Sequence, residues 1–338
     1  MKRPAAITSI ALGFFLTTFA TAQLYTVREI ALQADDTDAT ALNAHGEVVG
    51  TYRNPITDVV HAFLFNRGGL IDDLGTLGGS RSFGQGINNH AVITGYSQIT
   101  GDLSVHAFSF KDGVMSDLGT LGGDSSQAFG INSSGQITGN AQLRDGPVHA
   151  FLFNQGNMMD LGTVGGTTSF GLALNRFGNV TGASYLLGDS VYHAFLYEHG
   201  SMTDLGSLLL FSEGLAINDK NQVVGITDVP GGSHAFLLAD GKMSDLGTLG
   251  GTVSQAMGVN NAGHVVGTAS LTGDQASHAF IYVPGSGMLD LNTLIPPESG
   301  WTLQVARAIN DREEIVGFGL INGQSRAFLL KPHHPLKF

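Results

Sequence analysis

Apolar residues in this chain gather in short runs rich in Val, Ile, Phe and Ala, each bounded by Gly, Asn, Asp or Ser. That pattern predicts strands joined by tight turns. The run HAFLF, residues 61–65, is apolar on both alternating faces, with Ala62 and Leu64 on one and Phe63 and Phe65 on the other. A strand apolar on both faces is covered on both. Its sheet must therefore lie between two others, in a linear stack or a closed ring.

Four such phrases recur in fixed order. The first ends in an apolar residue and Asn, at Asn43, Asn88, Asn132, Asn175, Asn218, Asn260 and Asn310. The second ends in a Gly placed seven positions after each Asn, from Gly50 to Gly317. The third is HAF, at His61, His106, His149, His193, His234 and His278, with RAF at Arg326. The fourth is DLG or a close relative, at Asp73, Asp117, Asp160, Asp204, Asp245 and Asp290. Successive copies lie 41–50 residues apart, a period typical of solenoids, propellers and arrays.

The last copy stops after RAFLL, without its fourth strand. A lone strand stands instead at the opposite terminus: LYTVREI, residues 24–30, with Glu29 where the Asp of DLG would be. A linear stack has no use for such a strand, whereas a ring can use it to complete its last sheet. The sequence thus predicts an all-β fold, a seven-bladed β-propeller with four antiparallel strands per blade. The last blade is closed by the N-terminal strand.

The phrases HAF, DLGTLGG, GIN and LNTLIPPESGWTLQVARAINDREEIVGFG resemble the HAF-repeat family of bacterial exported proteins, over residues 24–330. The resemblance implies export and a repeated β architecture. It supplies no activity, substrate or catalytic residue. The blade plan is also similar to that of kelch and WD repeats, at the level of fold alone.

Each repeated residue has a structural reading. Asn ends the first strand before a turn such as NSSGQ, where its side chain can bond the backbone two residues on. The Gly seven later lies inside a strand, which marks close approach of a backbone or a ring, and the Phe of HAF is the natural neighbour. One His per repeat spreads the histidines around a wide circle, whereas zinc needs its ligands about 2 Å from one ion. Arg326 in the seventh copy can donate a hydrogen bond but cannot ligate a metal. The histidines are therefore read as hydrogen-bond donors, with a neighbouring Asp as partner. The DLG acids read as a solvated rim. The stretch ADDTDAT, with Asp35, Asp36 and Asp38, lacks the Gly and the distal Glu of an EF-hand loop.

Residues 1–22 read as a secretory signal: Lys2 and Arg3, an apolar run from Ala5 to Phe19, and a small-residue cleavage site ending near Ala22. A single domain over 23–332 and a tail of 333–338 follow. The expected location is secreted or periplasmic, with no membrane span in the mature chain. Cysteine is absent, so folding proceeds without disulfides. The formal charge of −12 argues against nucleic acid and anionic membrane surfaces as partners. Gly accounts for 48 of 338 residues, about twice the usual ~7%, at positions that recur with the repeat.

No G-x-S-x-G or H-E-x-x-H pattern is present, and no cofactor is implied. Loop lengths locate the expected working surface. From each repeated Gly to the next His or Arg takes between 9 and 11 positions, while the Asn-to-Gly spacing never varies. Loops on a rigid scaffold carry binding. The crossover from Asp290 to Asn310 takes 20 positions against 14 or 15 elsewhere, and it holds the lone Trp301. Candidate binding residues are therefore Trp301 with the loop acids Asp102, Asp145, Asp189 and Asp274. Trp301 reads either as a seam plug or as an aromatic platform. The function expected is an exported binding or scaffold module, monomeric, for a glycan or protein ligand. The alternative is a propeller enzyme, a hydrolase or lyase acting on an extracellular polymer.

Overall fold

A computed structural model describes residues 23–30, 36–54 and 57–334, so the signal segment and Asp35 lie outside the described residues. The third repeat shows the common plan. Strands Gly122–Ile131, Ile137–Leu143, Val148–Asn154 and Asn157–Asp160 form an antiparallel meander. Its first turn is set by Asn132, whose Oδ1 accepts the N–H groups of Ser134 at 3.1 Å and Gln136 at 3.0 Å. Its last turn is two residues long, Gln155 and Gly156, with φ of 49° and 88°. Two successive positive φ values match the twist of a hairpin, and Gly takes the second at little cost.

The strands of the other repeats pair in the same antiparallel order. Single parallel residue pairs, Val60↔Arg81 and Ser233↔Val253, join two neighbouring groups in two places. The N-terminal strand Tyr25–Glu29 pairs with the last strand, Gln324–Pro332, from Tyr25↔Pro332 to Glu29↔Phe328. Glu29 thereby takes the register of the DLG acids, which stand opposite the HAF phenylalanines as in Phe63↔Asp73 and Phe108↔Asp117. The N–H of Ile30 donates to the carbonyl of Ala327, as Leu74 does to Ala62.

The core lies between adjacent sheets. The Ala and Phe of HAF are fully buried in every repeat, from Ala62 and Phe63 to Ala327 and Phe328. One apolar cluster joins Ile30, Ala39, Val48 and Phe63 of the N-terminal segment and first repeat to Val316, Ala327 and Leu329 of the last. A methyl group on Gly50 would run into the Asp38 carbonyl and lie 2.8 Å from the Phe63 ring. The repeated Gly therefore leaves room for the repeated Phe.

Two polar devices recur. The first is a buried hydroxyl six residues before the repeated Asn. Ser169 Oγ accepts the N–H of Ala150 in the preceding repeat at 2.9 Å and donates to the Gly162 carbonyl at 2.6 Å. Ser82, Ser126, Ser212 and Ser254 make the same contacts, and Thr37 accepts the N–H of Ala327. The second device corrects the reading of the DLG acids as a merely solvated rim. Asp160 accepts Nδ1 of His149 at 2.8 Å and the N–H of Gly162 at 2.8 Å. An ionised carboxylate only accepts, so Nδ1 carries the proton. The other five histidines face their DLG aspartates at 2.7–2.9 Å. In the seventh repeat Arg326 Nε lies 3.4 Å from Glu29, so a longer base meets a longer acid.

Candidate functional site

The repeated asparagines do more than form turns. Each is at most 8% exposed, and each Nδ2 donates to the backbone carbonyl of the next repeat's Asn. Asn43 donates to Asn88 at 3.0 Å, Asn88 to Asn132 at 3.0 Å and Asn132 to Asn175 at 3.1 Å. The series continues through Asn218, Asn260 and Asn310, and Asn310 donates back to Asn43 at 3.1 Å. The donations thus run in a circle. One cavity of about 420 Å³ is lined by all seven asparagines together with their neighbours.

The residue before each Asn is aliphatic, from Leu42 and Ile87 to Ile309. These seven side chains line both that cavity and a larger one of about 680 Å³ on the far side of the collar they form. The larger cavity is shaped by an irregularity in the first strand of every repeat. Pairing jumps from Ala39 to Ala41, from Gly84 to Gly86, from Ala128 to Gly130 and from Ala306 to Ala308, with the same jump in the other three. The skipped residue is a β-bulge, left out of the ladder and re-aimed. In chain order the skipped residues are Thr40, Gln85, Phe129, Leu172, Leu215, Met257 and Arg307, and all seven line the larger cavity. Small residues flank each of them, so the backbone device is constant while its side chain differs.

The differences are arranged. Phe129, Leu172 and Leu215 make one side apolar, whereas Arg307, Thr40 and Gln85 are consecutive around the other. Arg307 Nη2 meets Asp38 Oδ2 at 2.8 Å, and its guanidinium lies 5.5 Å from the centre of the Phe318 ring. Burial raises the Asp38 carboxyl above its ordinary range, with Arg307 opposing. Tyr96 stacks on Phe83 at 4.8 Å and lies 6.1 Å from Phe129. Burial also raises the Tyr96 phenol. A third cavity, of about 520 Å³, shares Asp38, Thr40, Gln85, Tyr96 and Arg307 with the axial one and runs outward past Tyr52 and Phe318.

The five binding residues read from sequence stand apart from this centre, and none lines these three cavities. Asp102 accepts the N–H of Ser80 at 2.7 Å. Asp189 and Asp274 do the same for Thr167 and Thr252, both at 2.7 Å. All three are at left-handed loop tips and tie each loop to the start of its own repeat. Asp145 is exposed. Trp301 packs edge-on against Phe328, ring centres 6.1 Å apart, beside the core cluster of the last repeat. Two short 3-10 turns, Leu291–Thr293 and Pro297–Ser299, fill its long crossover. Asp38 of the ADDTDAT stretch faces an arginine. Among the described residues no group of three or more His, Asp or Glu side chains is placed to hold a metal ion. No helix of the described residues is long and apolar enough to cross a membrane.

The axial residues escaped the sequence reading because it followed what repeats. The usable signal was the opposite: one changing residue framed by Ala or Gly, three positions before an invariant Asn.

The sequence matches no family model and no curated protein sequence. Among solved structures the chain is similar to the β-propeller domain of the Trilobed protease from Pyrococcus furiosus. The TM-score is 0.62 at 8% identity, over 90% of this chain and 100% of that one. It is also similar to a puromycin-hydrolyzing peptidase of Mycobacterium tuberculosis, with TM-score 0.50 at 12% identity over 89% of this chain and 51% of that one. The acylaminoacyl peptidase of Pyrococcus horikoshii gives 0.50 at 8% identity, over 91% of this chain and 54% of that one. This chain therefore spans about half the length of either peptidase. At such identities the likeness is one of fold, and it defines an all-β chain of the β-propeller class built from four-stranded antiparallel sheets.

Proposed function

We propose that this is an exported HAF-repeat propeller of seven blades, its last blade closed by the strand Tyr25–Glu29, which acts as a binding module with its ligand in the axial cavity. The observation that carries the reading is the bulge in each first strand, which turns a residue that changes from repeat to repeat toward a shared cavity. Bulges that re-aim side chains gather next to functional sites. Closure is supported by the register of Glu29 opposite Phe328 and by the donation from Asn310 to Asn43.

The lining favours a ligand with one polar edge and one apolar face, as a saccharide has. Arg307, Asp38, Gln85 and Thr40 offer hydrogen bonds on one side, and Phe129, Leu172 and Leu215 offer apolar surface on the other. The net charge of −12 disfavours an anionic ligand. In this reading the loops bearing Asp102, Asp145, Asp189 and Asp274, with the Trp301 crossover, form the outer rim of the same working face. The mature protein is to be screened against neutral oligosaccharides by calorimetry, with Arg307→Ala beside wild type. A saccharide ligand whose affinity falls at least tenfold in the variant, with melting preserved, supports the reading. Unchanged affinity in Arg307→Ala places the ligand elsewhere and refutes it.

A further inference from the structure

The repeat breaks a second time, far from the Trp301 crossover. Between the fourth and fifth repeats the phrase DLGTLGG is replaced by DLGSLLL. Leu208, Leu209 and Leu210 are 40%, 53% and 52% exposed there. The position before the HAF histidine is Val or Ser in the other repeats and Tyr192 here. Tyr192 packs against Phe211 with ring centres 5.1 Å apart and against Tyr185 at 5.6 Å.

Beneath these rings is a cavity of about 150 Å³, lined by Tyr192, Phe211, Glu213, Ile226, Asp228 and Ser233 among others. Asp228 Oδ1 accepts the N–H groups of Leu210 at 2.8 Å and Phe211 at 2.7 Å, which ties the end of the leucine segment to the cavity wall. Its second oxygen makes no hydrogen bond to a described residue. Glu213 is more unusual. It is half-buried beside Tyr192, yet its carboxylate makes no hydrogen bond and no ion pair with any described residue. Burial alone pushes its carboxyl above the ordinary range.

A carboxylate withdrawn from water without a partner is costly. Five chemically separate features meet at this point: an aromatic pair, an adjoining exposed leucine segment, an unpartnered carboxylate, a free carboxylate oxygen and an open cleft. Aromatic faces and carboxylates both attract cations, and the leucine segment suits an apolar stem. We infer that the cleft between the fourth and fifth repeats binds a primary alkylammonium group, its nitrogen on Glu213 and Asp228 and its carbon chain against Tyr192 and Phe211, toward the adjoining leucines. This site is separate from the axial cavity, so neither reading depends on the other.

The test is calorimetric titration of the mature protein with n-butylammonium chloride, at fixed ionic strength, beside uncharged n-butanol. Three variants accompany wild type: Glu213→Gln, Tyr192→Val and, as control, Asp38→Asn at the axial site. Glu213→Gln removes no internal bond, and Tyr192→Val restores the residue found in other repeats, so both keep the fold, as a melting curve verifies. Saturable binding of butylammonium is expected. It should weaken at least tenfold in each cleft variant and stay unchanged in the control. The inference is overturned by any of three results: no saturable heat into the millimolar range, equal binding of butanol, or undiminished binding by Glu213→Gln.

Discussion

Asn132 supports two competing accounts, and one substitution separates them. If it only forms a turn, Asp should replace it well, because Asp makes the same side-chain bond to the backbone two residues on. The structure gives it a second task. Its Oδ1 accepts two backbone N–H groups, while its Nδ2 donates to Gln136 Oε1 at 2.8 Å and to the Asn175 carbonyl at 3.1 Å. Asn132→Ala removes all four of these bonds, and that from the Ser134 hydroxyl to Oδ1, at a site 5% exposed. Each is worth roughly 0.5–1.5 kcal/mol, and the Asn175 carbonyl keeps only its bond from the Gly178 N–H, so the loss should be about 3 kcal/mol. In Asn132→Asp the acceptor bonds survive, but a carboxylate oxygen faces that carbonyl. The loss should be about 2 kcal/mol or more at pH 7, and it should shrink as the pH falls and the new carboxyl becomes a donor. Urea unfolding at pH 7 and pH 4 measures both. Asn310→Ala should cost as much as Asn132→Ala, because Asn310 donates to Asn43 across the termini. If Asn132→Asp lies within about 0.5 kcal/mol of wild type at pH 7, the inter-repeat bond carries no weight and the account is wrong.

Removing residues 24–30 exposes the edge of the last strand and discards the fully buried Tyr25 and Ile30. The apolar burial alone amounts to about 4–5 kcal/mol, so a large fall in the urea midpoint is expected, and an unchanged one would refute closure by this strand. Ser169→Ala leaves the Ala150 N–H and the Gly162 carbonyl unpaired between two repeats. A loss of about 2–3 kcal/mol should appear in the same assay, and a loss below about 0.5 kcal/mol would deny that hydroxyl its role. The Glu213 carboxyl is raised by burial, so its neutral form favours the fold. Its stabilisation is full below the ordinary Glu value of about 4.3 and is lost as pH rises through the folded value. Glu213→Gln should therefore melt higher than wild type at pH 7 and level with it near pH 3, and a lower melting point at pH 7 contradicts the argument.

The pairing of the chain was legible because its marks are local. Asn and Gly keep a spacing of seven, and Glu29 stands at the interval from its strand that DLG keeps elsewhere. The register of Glu29 opposite Phe328 follows from those intervals. What stayed hidden were contacts between repeats. Asn43 looks the same in sequence whether its amide meets solvent or the Asn88 carbonyl. Ser169 is an ordinary hydroxyl beside a Phe until the strand carrying Ala150 is laid next to it. The histidines, by contrast, read as donors to a neighbouring Asp, and the DLG aspartates 11 or 12 residues later in the same repeat are those partners. The axial residues were hidden differently. Arg307 and Gln85 are unalike, and only the skipped pairing of their strands shows that they occupy one equivalent place.

That skipped pairing separates two demands that proteins usually have to reconcile. A bulged residue contributes no ladder bond, and its small neighbours let the backbone bend whatever side chain it bears. Exchanging Gln85 for Thr, or Leu172 for Phe, therefore alters what lines the axis while the surrounding ladder keeps its partners. The seven positions behave like interchangeable tumblers in a lock whose housing is already assembled. Selection can re-key such a molecule one tumbler at a time, and each trial leaves the housing standing.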